Sequence, residues 1–157
     1  MDKLQIAAWV ELCVCWITWS LAFVKPGKRA SGAIKKERAP ASRWGILLVA
    51  LGYACIWAVV RPADFEKSSL SLIASMVIAP PAVLLVWMAA RHLDKQWRFE
   101  AALSEDHKLI TTGPYRWLRN PIYASMLGML LATGFAKTWW PLFLAGVTFF
   151  IIGTEIA

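Results

Sequence analysis

Five apolar stretches constrain this chain more than any other feature, because a water-soluble fold of this size cannot bury them all. Apolar residues make up 59% of the 157 residues. The sequence therefore predicts a single all-α integral membrane domain over residues 1–157, with about five transmembrane helices. The predicted spans are 4–24, 44–60, 70–90, 122–136 and 141–156.

The last two predicted spans are short beside the roughly 20 residues usual for a membrane helix. They contain Gly128, Gly134 and Gly146, and small residues let membrane helices approach closely. We therefore expect a tightly packed C-terminal helical hairpin. In the third span, Pro80 and Pro81 remove two backbone donors, so a kink or a break is expected there.

Two basic loops separate the spans. Loop 25–43 carries seven Lys and Arg against one Glu, and loop 91–121 carries six against four acidic residues. Positively charged loops stay on the cytoplasmic side. Five alternating spans put both loops there, with the N-terminus outside and the C-terminus inside. The net charge of +7 thus indicates membrane topology, with the lipid bilayer as partner and no nucleic acid.

Few polar groups lie inside the spans. Glu11 is a candidate functional residue because charge is costly at membrane depth, although contact with another helix or with the interface is the preferred interpretation. The cysteines, Cys13, Cys15 and Cys55, all fall within spans. Neither a disulfide framework nor a metal site is expected from them.

The segment from His107 to Tyr123, HKLITTGPYRWLRNPIY, is the most informative polar stretch. Gly113-Pro114 indicates a turn, and Pro121 suits the first turn of a helix. A helix start offers unpaired N–H groups and a positive dipole end to an anionic ligand group. The segment therefore predicts a ligand site on the cytoplasmic side, between the third and fourth spans.

This segment resembles the motif of the isoprenylcysteine carboxyl methyltransferase family and its bacterial relatives, with the spacing intact. The resemblance covers about residues 44–157 and implies S-adenosylmethionine as cofactor and a bacterial inner membrane as location. Asn120 stands where the eukaryotic pattern has His, as in many bacterial relatives. The cofactor-binding residues that the resemblance implies are His107, Lys108, Leu109, Ile110, Gly113, Tyr115, Arg119, Asn120, Pro121, Ile122 and Tyr123.

The resemblance also implies methyl transfer to a carboxylate of a lipidated or otherwise hydrophobic substrate. A carboxylate is already nucleophilic at neutral pH, so catalysis would rest on alignment and on exclusion of water. In the family, an Arg and a Glu-Glu pair follow the last span and help to close the site. They would lie beyond Ala157, so no catalytic residue is predicted within the chain.

Three other functions remain open from the sequence. A phospholipid-type N-methyltransferase shares the architecture, but its amine must be neutral to attack and no base is evident. A catalytically inactive membrane protein that only binds a ligand is the second. A small transporter is the third, although Glu11 is the only acidic residue within the spans before residue 155. His92 and Trp117 are interpreted as interfacial residues.

Overall fold

The computed structural model describes residues 3–24, 40–58, 67–93 and 113–156. These residues form helices joined by short turns, and no strand occurs among them. The helices are α1 (Lys3–Val24), α2 (Pro40–Trp57), α3 (Ser69–Leu93), α4 (Pro121–Lys137) and α5 (Trp140–Ile156), with a 3₁₀ helix at Gly113–Arg116.

The five α-helices fall on the five predicted apolar stretches, and their ends differ by a few residues. The largest correction concerns α2, which begins at Pro40, inside the predicted loop 25–43. Proline is well suited to a helix start, since its fixed φ is helical and its missing N–H would have no partner there. α3 likewise extends past the predicted limit of residue 90, to Leu93.

Within the described ranges, two helices are long and apolar enough to cross a membrane, α1 with 22 residues and α3 with 25. At 1.5 Å per residue they measure about 33 and about 38 Å, against a hydrocarbon core of about 30 Å. The other three have 17 or 18 residues, so the count of five spans stays a prediction. Large apolar side chains such as Val10, Leu84 and Leu144 are exposed, and such a surface suits lipid.

Pro80 and Pro81 do not end α3, which is helical from Ser69 to Leu93. The break expected as one outcome of this pair is therefore absent. The prolines cost the helix two backbone hydrogen bonds, but their neighbours in the helix are buried. Ala79 and Ala82, on either side of the pair, are 1% and 5% exposed and belong to the main apolar cluster.

The helices pair differently from the predicted hairpin. α3 packs mainly on α4, and α5 packs mainly on α2, whereas α4 and α5 share only a small contact. The glycines show why. Gly128 lies against Ala82 of α3, and Gly146 lies against Gly52 of α2, so only Gly134 provides close packing within the hairpin, against Phe143.

Tryptophans of α1 attach it to α3 and α4. Trp16 Nε1 donates to Thr133 Oγ1 at 3.0 Å, and Trp19 Nε1 donates to Ser125 Oγ at 2.8 Å. Trp87 Nε1 of α3 donates in return to the carbonyl of Thr18 at 3.1 Å. Each indole thus buries a large apolar surface and satisfies its single donor, which fixes how α1 lies along the pair α3–α4.

Candidate functional site

The chain enters α4 through a tight turn. Gly113 has a φ of 62°, a left-handed conformation that favours glycine because other residues bring Cβ too close to the backbone. The N–H groups of Trp117 and Leu118 both donate to the carbonyl of Pro114, at 3.2 and 3.0 Å. This turn brings the polar residues 113–120 to the end of the bundle where α3 stops and α4 starts.

The first backbone N–H groups of α4 have no acceptor within the helix. Pro121 occupies the first turn and is fully buried, and Asn120 makes no side-chain capping hydrogen bond. The first N–H groups of any helix lack a helical acceptor, and here those of Ile122 and Tyr123 come directly after the proline. Together with the positive end of the helix dipole, they favour an anionic group.

Tyr115, in the 3₁₀ helix before α4, has a buried hydroxyl. The residue is half-buried, and its Oη is inaccessible and has no hydrogen-bond partner among the residues that the structure describes. Burial raises the pKa of Tyr115 to about 12, because the phenolate would lose its hydration. The group is therefore a neutral hydroxyl near pH 7, able to donate to a ligand atom. A buried donor without a partner is costly in a folded protein, so Tyr115 favours a bound group here.

His92, in the last turn of α3, meets the motif segment. Its Nδ1 is 2.7 Å from the carbonyl oxygen of Met88. Its ring lies over Gly113, where a Cβ atom would collide with it. From the sequence, His92 is interpreted as an interfacial residue, and no motif marks it. One feature of the sequence could have indicated this contact. Loop 91–121 joins the third and fourth predicted spans, so the end of the third span is expected near the start of the fourth.

A buried hydrogen-bond relay holds α3 and α4 in register near this end. Ser125 Oγ accepts from Trp19 Nε1 and donates to the carbonyl of Ala82 at 2.7 Å. Gly128, three residues further along α4, would clash with Ala82 if it carried a Cβ. The position of the α4 start relative to the α3 end, and hence of the site, depends on these contacts.

The predicted cofactor residues fall into two groups. His107, Lys108, Leu109 and Ile110 lie outside the described residues. The others lie together at the entry to α4: Gly113 and Tyr115 in the 3₁₀ helix, exposed Arg119 and Asn120 before the helix, and Pro121, Ile122 and Tyr123 in its first turn. Their roles towards a cofactor stay predictions.

Trp117 is exposed, and its interfacial position stays a prediction. Its side chain is 83% exposed, and the Arg116 guanidinium carbon lies 5.7 Å from the centre of its ring. It faces away from the packed helices rather than towards the α3–α4 contact.

Fold and site together define a helical protein with a polar, donor-rich segment between its third and fourth helices. The family model of the phospholipid methyltransferases matches residues 69–156, from the start of α3 to the end of α5. Because the match covers more than half of the 157 residues, the chain belongs to the phospholipid methyltransferase family. Neither a curated protein nor a solved structure matches the chain significantly.

Family membership confirms the predicted class, an integral membrane methyltransferase. The family matched is the phospholipid methyltransferase family, which belongs to the same superfamily as the isoprenylcysteine carboxyl methyltransferases. α1 and α2 precede the matched residues, and each packs on the matched part: α1 on α3 and α4, and α2 on α5.

Proposed function

We propose that this protein is an S-adenosylmethionine-dependent N-methyltransferase that acts on the amine headgroup of a phospholipid. The observation that carries the proposal is the family match across α3, α4 and α5, which includes the donor-rich start of α4. An aminophospholipid would reach that site from the bilayer beside exposed apolar helix faces, while a water-soluble cofactor would come from the polar loop.

The described residues fit the cofactor chemically. The Tyr115 hydroxyl, which has no partner among the described residues, and the first N–H groups of α4 suit its carboxylate and ribose, and Gly113 lets the backbone approach closely. Tyr123 offers an aromatic face, which attracts a sulfonium cation. When bound, S-adenosylmethionine supplies an activated methyl group. The chain's own residues would bind and orient it, and would keep water from the reacting atoms.

A binding and transfer experiment tests this function. The protein in nanodiscs should bind S-adenosylmethionine saturably by calorimetry and transfer isotope-labelled methyl groups to phosphatidylethanolamine. Phosphatidylcholine, whose nitrogen is already fully methylated, is the matched lipid control. Tyr115→Phe should weaken cofactor binding about 5- to 15-fold, the value of one hydrogen bond. A folded protein that binds no S-adenosylmethionine would contradict the proposal.

Carboxylate methylation is the second candidate, supported by the resemblance of residues 107–123 to the isoprenylcysteine carboxyl methyltransferase motif. A carboxylate requires no base, unlike an ammonium group. The two products separate chemically, because a methyl ester releases methanol in alkali whereas an N-methyl group does not. Labelled methanol from a lipidated peptide, with no labelled lipid amine, would favour this candidate. Cofactor binding without any transfer would favour a protein that only binds.

A further inference from the structure

The ring nitrogens of His92 are distinguished by their surroundings. Nδ1 lies 2.7 Å from the Met88 carbonyl oxygen. A carbonyl oxygen only accepts hydrogen bonds, so Nδ1 must carry the proton and donate it. In the neutral ring, Nε2 is then the unprotonated nitrogen, with a lone pair in the ring plane. The backbone of α3 thereby selects the tautomer whose outer nitrogen is a base.

The ring's orientation keeps that lone pair accessible. A Cβ at Gly113 would be nearly equidistant from Nε2, Cδ2 and Cε1 of His92. Such equal distances place it above the face of the ring, since an edge-on contact would favour Nε2 alone. The lone pair of Nε2 therefore points along Gly113 and not into it. His92 is an exposed residue, so a ligand can reach this edge.

We propose that His92 is the general base that removes a proton from the amine acceptor, at the contact between the end of α3 and Gly113. The proposal rests on the proposed function. A primary ammonium group has a pKa near that of lysine, about 10.4, and is protonated at neutral pH. Its nitrogen then has no lone pair for attack, so an amine methyltransferase needs a base at the site.

The proposed step conserves atoms and charge. The acceptor ammonium gives one proton to Nε2, which becomes an imidazolium. The nitrogen lone pair then forms the new N–C bond to the methyl carbon, while the methyl–sulfur bond breaks and its electron pair stays on sulfur. The sulfonium charge thus ends on the methylated nitrogen, and the imidazolium releases its proton to water.

Other charged or titratable groups on the elements beside His92 are Arg91 of α3, Tyr115 and Arg116 of the 3₁₀ helix, and Arg119 and Tyr123 at the entry to α4. Tyr115 is neutral near pH 7, and an arginine side chain is not deprotonated in proteins. Among these described groups, only His92 offers a ring nitrogen as a proton acceptor.

The test uses His92→Asn, because an Asn side chain keeps an N–H donor for the Met88 carbonyl but has no basic nitrogen. We expect unchanged S-adenosylmethionine affinity and about a 100-fold or greater loss of phosphatidylethanolamine methylation at pH 7. Raising the pH towards 10 should restore the variant's rate, because the free amine fraction grows about tenfold per pH unit. The wild-type rate should rise much less over this range.

A second readout needs no turnover. The chain has two histidines, so ¹⁵N spectra of histidine-labelled protein can be assigned by comparison with His92→Asn. His92 should show a protonated Nδ1 and an unprotonated Nε2 in its neutral form. The opposite tautomer would overturn the proposal, and so would a variant rate within threefold of wild type.

These outcomes separate the proposal from the proposed function. Wild-type protein that methylates phosphatidylethanolamine, beside a His92→Asn variant equally active at pH 7, overturns only the role of His92. A variant that loses cofactor affinity and is not rescued at high pH also overturns it, in favour of a structural role. Wild-type protein that binds cofactor but methylates only carboxylates overturns both.

Discussion

The α2–α5 pair and the α1–α3–α4 group are held together in different ways. α2 and α5 meet through glycines: a Cβ on Gly52 would lie 2.7 Å from the Gly146 carbonyl oxygen, and one on Gly153 would lie 2.8 Å from that of Gly45. We call this contact the glycine seam. In the other group, tryptophan indoles bond to hydroxyls, as in the pairs Trp16–Thr133 and Trp19–Ser125.

The two kinds of contact determine which substitutions each region tolerates. The glycine seam has no spare volume, so it should be sensitive to added atoms and insensitive to polarity. The hydrogen-bonded group should be sensitive to the loss of single polar atoms, because a buried indole donor without an acceptor is costly. The candidate site belongs to the second group, since the Ser125 relay fixes α4 against α3.

The largest expected effect is at the glycine seam. Gly52→Leu must push α5 away from α2, because even its Cβ collides with backbone atoms. We expect the free energy of unfolding to fall by about 3 kcal/mol, the upper end for overpacking. Ala54→Leu, at an exposed position of the same helix, is the matched control and should change stability by less than about 0.5 kcal/mol. Equal losses in the two variants would show that α2 and α5 are not closely packed.

Ser125→Ala should have the next largest effect. It removes the acceptor of Trp19 and the bond to the Ala82 carbonyl, for a loss of about 1–2 kcal/mol. Cofactor affinity should fall too, because the α4 start loses its register, whereas Gly52→Leu should leave the affinity of the folded fraction unchanged. Ser20→Ala, at an exposed position on α1, is the control.

A double-mutant cycle sharpens that result. If Trp19 and Ser125 interact, Trp19→Phe combined with Ser125→Ala should cost less than the sum of the single losses, by at least about 0.5 kcal/mol. Strict additivity in chemical unfolding would contradict the bond, and the hydrogen-bonded character of the α1–α3–α4 group with it.

The sequence predicted the helices themselves because their signals are local. Apolar windows mark all five, and Pro121 marks the start of α4, where the structure confirms it in the first turn. The close glycine packing expected within the α4–α5 hairpin was wrong for two of its three glycines. Gly128 and Gly146 suggested a tight α4–α5 hairpin, but composition does not say which way a glycine faces. Gly128 faces α3, and Gly146 faces α2.

The residues of the candidate site were predictable where they belong to the motif, and not where only helix packing brings them to the site. Gly113 and Tyr115 followed from the resemblance, and the turn conformation of Gly113 is confirmed. His92 carries no motif, and it reaches Gly113 only because α3 and α4 run antiparallel in the register that Ser125 and Gly128 set. The burial of the Tyr115 hydroxyl likewise depends on its three-dimensional surroundings.

Tyr115 gives a smaller, pH-dependent effect. Its folded pKa of about 12 exceeds the value near 10 of an unfolded chain. Because the folded pKa is the higher of the two, the contribution of the Tyr115 hydroxyl to the free energy of unfolding is complete below about pH 10. It is lost as the pH rises towards 12. Wild-type protein should therefore lose more unfolding free energy than Tyr115→Phe between pH 10 and 12. Parallel unfolding curves across this window would contradict the burial of the hydroxyl.

Trp117 should give the smallest effect and so sets the boundary of the site. Trp117→Ala removes a side chain that is 83% exposed, so unfolding free energy should change by less than about 0.5 kcal/mol, and cofactor affinity should stay the same. Partitioning of the motif segment into lipid should weaken instead, measurable by fluorescence quenching with brominated lipids through an introduced reporter. A fall in cofactor affinity comparable to that of Tyr115→Phe would place Trp117 in the binding site. The site would then extend to the exposed face of the turn.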